Sequence, residues 1–165
     1  MSDARVATAL RTPGGILAII GGLLLVVSAF LPWVKIGPGF VVNPPPVSSW
    51  DTVSGVDGHE WFLVGDDGIF VLIGGVLIAA LGLWTILSRP KAAPIILILS
   101  GLAFGLLGRF EYDSIGHSVP CCDFFTIHVG EGIWWIYAGA AATLVAGLIL
   151  DGQMRVQHRR LATSH

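Results

Sequence analysis

Charge is scarce in this chain: 12% of its 165 residues are Asp, Glu, Lys or Arg, and the formal balance is -2. Nucleic-acid binding needs Lys and Arg clustered against phosphates, and no large basic cluster occurs, so nucleic acid is not expected as a partner. Cysteine is equally sparse, and the two present, Cys121 and Cys122, cannot build a disulfide-rich scaffold. Room for a soluble catalytic domain is also missing, because four uncharged apolar runs consume most of the length. What remains is apolar and small: 54% hydrophobic residues, 22 glycines and a mean hydropathy of +0.79. That composition belongs to a membrane protein.

Charged residues bracket the four apolar runs. They predict spans at 13–34, 68–88, 92–110 and 132–150, outer loops at 35–67 and 111–131, and tails at 1–12 and 151–165, all in one integral membrane domain. A bilayer core of about 30 Å requires roughly 20 helical residues, so the third run is short and recruits Phe110. Helices are expected because backbone groups in lipid must be satisfied within the segment, and no run alternates polar with apolar residues as a barrel strand does. The first run ends Phe30-Leu31-Pro32-Trp33 rather than in a small-residue cleavage site, which reads as a mature helix and not a signal peptide. The fold class is therefore all-α membrane: a four-helix bundle of two tandem helical hairpins with a small outer cap.

Basic residues set the expected orientation. Arg5, Arg11, Arg89, Lys91, Arg155, Arg159 and Arg160 fall on one side, against Lys35 and Arg109 on the other, which places both termini in the cytoplasm of a multi-pass cell-membrane protein. The outer face is then acidic. Trp33, Trp61, Trp134, Trp135, Phe110 and Tyr112 fall near the outer helix ends, where aromatic rings favour the headgroup zone.

One pattern recurs in all four spans: Gly15-Ile16 with Gly21-Gly22, Gly68-Ile69 with Gly74-Gly75, Pro94-Ile95 with Ser100-Gly101, and Gly132-Ile133 with Ala138-Gly139. It reads as a duplicated helical hairpin. Gly21, Gly75, Gly101, Gly105 and Gly139 belong to small-residue stripes that let helix backbones approach closely, replacing the hydrophobic drive that is absent between helices in lipid. Asp67 and Glu131 precede their helices and are expected to cap them. Arg109 is the basic group near membrane depth at the outer side, with Asp67, Glu131 or Glu111 as its expected partner.

Prolines and Asp-Gly steps in the first outer loop predict turns. Phe40-Val41-Val42 and Trp61 to Val64 are expected as short strands, and Phe124 to Ile127 in the second loop as an extension of the same small sheet. The loops also carry the plausible ligands. His59, His117, Cys121, Cys122 and His128 are the residue types a zinc or copper site uses, but their spacing fits no familiar metal motif, so no metal or other cofactor is expected. An outer-face metal or thiol-redox protein stands as the alternative reading, and adjacent cysteines leave open a strained disulfide, a bridge to another subunit or free thiols. Ser28, Thr85, Ser100 and Thr143 are too little polarity for a carrier or channel, the weaker alternative, and no nucleophile motif or phosphate-binding loop occurs. No enzymatic activity is expected.

Leu31-Pro32-Trp33-Val34 at the end of the first span, Trp50-Asp51-Thr52 and Gly55-Val56-Asp57-Gly58 in the loop, and the restarts Asp67-Gly68-Ile69 and Gly132-Ile133-Trp134 together resemble small four-span membrane proteins of actinobacteria. Among these the chain resembles the accessory subunits of the cytochrome bcc–aa3 respiratory supercomplex, including its association factor. The resemblance covers most of the chain, rests on caps, turns and anchors, and carries over no catalytic residue. It implies a non-catalytic accessory subunit whose partners are lipid and other integral membrane subunits, among them respiratory complexes III and IV. Trp50, Asp51, Asp57, Trp61, Cys121 and Cys122 are then the candidate docking residues.

Overall fold

The computed structural model describes residues 2–38, 51–54, 67–88, 90–117 and 125–162. Four helices, α1 (Ser2–Phe30), α2 (Asp67–Ser88), α3 (Ala93–His117) and α4 (Glu131–Ala162), alternate with three short strands, β1 (Pro32–Pro38), β2 (Asp51–Ser54) and β3 (Phe125–Val129). Each helix contains a stretch long and apolar enough to cross a membrane: Pro13–Phe30, Asp67–Ser88, Ala93–Ile115 and Glu131–Val156. The chain is thus built as a multi-pass membrane protein. Since four spans alternate in direction, the strands share one end of the bundle, and the two tails share the other with the short α2–α3 turn.

Helix boundaries depart from the expected spans in four places, the earliest being α1, which begins at Ser2 within the expected tail instead of at residue 13. The first helix stops at Phe30 instead of continuing to residue 34. Its last carbonyls are taken up locally: Leu31 N–H donates to the Ser28 carbonyl at 3.2 Å and the Trp33 indole Nε1–H donates to the same oxygen at 2.8 Å. Pro32 then opens β1, a position that tolerates a residue without an N–H. The third helix is not short. It runs past residue 110 to His117, because the charges there are handled in place: Arg109 pairs with Asp113 one turn on, and Glu111 is buried. The fourth continues beyond Leu150 in the same way, with Asp151 paired to Arg155.

The sheet is antiparallel in the order β2-β1-β3. Lys35 of β1 lies opposite Thr52 on one side and His128 on the other. The expected strand near Phe124 to Ile127 is present as β3; Phe40-Val41-Val42 and Trp61 to Val64 lie outside the described residues. Gly130 N–H donates to the Trp33 carbonyl at 2.7 Å and closes the junction between β3 and α4. A side chain at Gly130 would collide with the Pro32 carbonyl, so the junction between β3 and α4 can approach the start of β1 this closely only with glycine there.

Within the membrane layer α1 and α4 form the central seam. Helix α1 packs along α2 on one side and α4 on the other, and α4 in turn packs along α3, whereas α2 and α3 barely touch. The helical hairpins α1–α2 and α3–α4 therefore meet along α1 and α4. The repeated small residues fall on these seams. A Cβ at Gly22 would lie 2.5 Å from the Gly75 carbonyl oxygen, and one at Gly82 would lie 2.9 Å from that of Gly15. On the α1–α4 seam Gly21 and Gly139 face each other's carbonyls at 3.0 and 2.9 Å, and on the α3–α4 seam Gly101 meets Ala140 and Leu144. Gly105 departs from this expectation: nothing from another part of the chain lies within 4 Å of the position its Cβ would take, so it packs no seam in this structure.

Candidate functional site at the sheet end of the bundle

The polar chemistry of the described residues concentrates where strands and helix ends converge. Trp33 is fully buried, not placed in a lipid-facing aromatic belt as its position near a span end implied. Its ring covers the first turn of α4, where a Cβ on Gly132 would run into the indole. Ser28 at the end of α1 is equally buried and donates from Oγ to the Leu25 carbonyl at 2.6 Å. The helix terminus, the tryptophan and the start of α4 thus form one knot, with Ile133, Ile136 and Val34 closing around it.

Two carboxylates stand at helix starts. Glu131, the first residue of α4, bonds the Lys35 ammonium on β1 and ties the central strand to the helix. Asp67, the first residue of α2, is the charged neighbour of the buried Glu111 of α3. Both acids are the first residues of their helices rather than preceding them, at ends where negative charge complements the helix dipole, and Glu131 also joins α4 to β1. Arg109 pairs with none of its three expected partners; it bonds Asp113 at 3.0 Å and lies 5.8 Å over the Tyr112 ring. Tyr112 meets Trp134 edge-on, and Trp134 contacts Tyr137, forming an aromatic patch across the sheet-end parts of α3 and α4. Trp134, Trp135 and Phe110 are exposed, as anchors in a headgroup zone require.

Glu111 is the residue that sequence reasoning missed. Expected in the outer loop as a candidate partner of Arg109, it is 3% exposed inside a helix. Its position supplied the signal: counted from Ile115, Gly108, Phe104, Gly101 and Leu97, it falls on the inward stripe of α3 once that helix is allowed to run past Phe110.

The other candidate residues are distributed as follows. Asp51 opens β2 opposite Ile36. His117 is the last residue of α3, and His128 is exposed in β3. Trp50, Asp57, His59, Trp61, Cys121 and Cys122 lie outside the described residues. Among the described residues no group of three or more His, Cys, Asp or Glu is arranged to hold a metal ion. The polar side chains within the spans are committed to their own helices: Thr85 Oγ1 donates to the Leu81 carbonyl at 2.7 Å and Thr143 Oγ1 to the Gly139 carbonyl at 2.8 Å.

A bundle of four apolar helices with knotted strands at one end defines a class, the small multi-pass membrane protein. Compared with known protein-family models and with curated proteins, the chain matches none.

Proposed function

We propose that this protein is a non-catalytic integral membrane accessory subunit that associates with and stabilises a larger membrane complex, the actinobacterial bcc–aa3 respiratory supercomplex being the best candidate. The observation that carries the reading is the distribution of its side chains. The hydroxyls of Ser28, Thr85 and Thr143 within the described spans are turned onto their own backbones, while large apolar side chains stand outward along every span, among them Val27, Phe70, Leu87, Leu106 and Leu148. In lipid such faces serve acyl chains or another subunit. The sheet end adds a rigid polar cap, built on the Trp33 knot and the Lys35–Glu131 pair, against which the remaining loop residues Trp50, Asp57, Trp61, Cys121 and Cys122 would meet a partner. Both termini face the cytoplasm in this reading, by the imbalance of Arg and Lys between the two ends.

Gentle detergent extraction through a tag on the C-terminal tail tests it. Co-purification of cytochrome subunits of complexes III and IV supports the proposal. Recovery of the chain alone at every detergent strength, from cells in which those complexes are intact, overturns it.

A further inference from the structure

The end of the bundle that carries the two tails differs in charge from the sheet end. On its described helix ends and turn, the cations Arg5, Arg11, Lys91, Arg155, Arg159 and Arg160 stand against two acids, Asp3 and Asp151. Arg155 is paired with Asp151, while Lys91 is exposed in the α2–α3 turn. Among the described residues of the sheet end, by contrast, Lys35 and Arg109 are each held by a carboxylate.

Helix contacts fix the depth of the tail-end charges. A Cβ on Gly14 of α1 would lie 2.7 Å from Leu150 Cγ of α4, one on Gly15 would lie 2.5 Å from Ile86 Cγ1 of α2, and one on Gly147 of α4 would lie 2.9 Å from the Pro94 carbonyl oxygen of α3. Gly14, Ile86, Pro94 and Leu150 therefore share one level, to within a helical turn. At 1.5 Å per residue, Arg11 is about 4.5 Å beyond that level on α1 and Arg155 about 7.5 Å beyond it on α4. Lys91 precedes Pro94 by three residues. The apolar stretch that ends at Val156 has 26 residues and is about 39 Å long, more than a bilayer core of about 30 Å, so its last turn reaches the headgroup layer. Around the same level Trp84, Leu87 and Ile95 are exposed, where acyl chains would meet them. A protein partner would be met by charge gathered on one face; these cations come from α1, the α2–α3 turn and α4, at the depth of lipid phosphates.

We infer that the tail end of the bundle is a collar for anionic phospholipid, with Arg11, Lys91 and Arg155 at phosphate depth and Arg5, Arg159 and Arg160 on the helical extensions further out. Each Lys or Arg close to a membrane surface strengthens the attraction to anionic headgroups. Asp151 offsets part of the Arg155 charge but leaves other N–H groups of the guanidinium to donate to phosphate oxygens. Salt screens the attraction, over a Debye length of about 8 Å at physiological ionic strength. The collar is independent of which complex the protein joins.

The test reads Trp84, which is exposed on α2 close to this level, whereas the described tryptophans Trp33, Trp134 and Trp135 belong to the sheet end. The full chain is reconstituted in equimolar phosphatidylglycerol and phosphatidylcholine, with one or the other lipid brominated on its acyl chains as a quencher, and the difference from Trp84→Phe isolates the Trp84 emission. The expected result is stronger quenching by brominated phosphatidylglycerol, with a preference that declines as salt is raised. Each lost charge should lower the relative affinity by up to about fivefold, so the triple variant Arg11→Gln, Lys91→Gln, Arg155→Gln loses the preference, while Arg11→Lys with Arg155→Lys keeps it. Helical circular dichroism shows whether the triple variant is folded, and Lys91→Gln alone, in an exposed turn, gives part of the loss and replaces it if it is not. Equal quenching by the two lipids in the parent, or an undiminished preference in the folded variant that lacks these charges, overturns the inference.

Discussion

The two sides of the bundle are built on different principles. Along α1, backbones are brought together by glycine: Gly22 against Gly75, Gly15 against Gly82, Gly21 against Gly139. Close approach gains dispersion and weak Cα–H contacts over the whole length of a seam, and these contacts do not depend on pH. Across α2 and α3 the helices barely meet, and near mid-span the Phe104 ring of α3 lies against Gly74 of α2. The first arrangement is rigid and tolerates no added atom. The second rests on a single described ring contact and leaves the α2–α3 side open.

This contrast can be broken most severely on the glycine side. Gly22→Leu or Gly75→Leu forces a side chain into the opposing backbone, which cannot step aside as a flexible side chain would; a loss of about 3 kcal/mol or more is expected, at the upper end for overpacking. Denaturant unfolding in mixed micelles, followed by helical circular dichroism, measures it, and a stability within error of the parent would contradict the seam described here. Trp33→Ala comes next. It removes a fully buried ring and its hydrogen bond to Ser28, at a cost of about 3 kcal/mol. Proteolysis at the sheet end should then accelerate before the spans unfold.

Smaller effects sharpen the comparison. Phe104→Ala takes the ring from the mid-span bridge of the open side but leaves all three glycine seams intact. Its cost should fall below that of Trp33→Ala, about 1–2 kcal/mol, because Phe104 is only partly buried and the residue-length gap it leaves is open to lipid. Glu131→Gln breaks the Lys35 pair at a site where the two side chains are 62% and 32% exposed, so about 0.5 kcal/mol or less is at stake after solvent screening. Gly105→Ala should be neutral or stabilising by up to about 1 kcal/mol, since the new methyl meets nothing and the helix gains propensity. A strongly destabilised Gly105→Ala protein would show that this position packs a seam after all.

Much of the fold was legible before any coordinate. Apolar runs near 20 residues can only be helices in lipid, so the number and approximate places of the spans followed from hydropathy. The Gly-Gly positions repeated across the spans pointed at the seams, and four of the five glycines named for packing, Gly21, Gly75, Gly101 and Gly139, lie on them. Helix ends were less legible. Charges were read as boundaries, but Asp113 and Arg155 each neutralise a neighbour one turn away, and a paired charge does not stop a helix. At the other extreme, nothing charged marks the end of α1; Pro32 and the claim of the Trp33 indole on the Ser28 carbonyl end it.

The sheet-end site was harder still. Asp67 and Glu131 were recognisable as acids at helix starts because that placement is a local property of the chain. Which side chain Glu131 would bond was not, because Lys35 lies far from it in sequence and the two are joined only by how β1 and α4 come together.

Composition and periodicity alone therefore determined that this chain enters a membrane, how many times it crosses, and which small residues allow its helices close together, since each of these depends on transfer to lipid or on spacing along one helix. Tertiary structure alone decided that α1 and α4 form the central seam, that α2 and α3 stand apart, that open space lies over Gly105, and that Glu111 is buried. Those outcomes depend on which faces meet in space, and residues distant in sequence choose their partners only when the bundle closes.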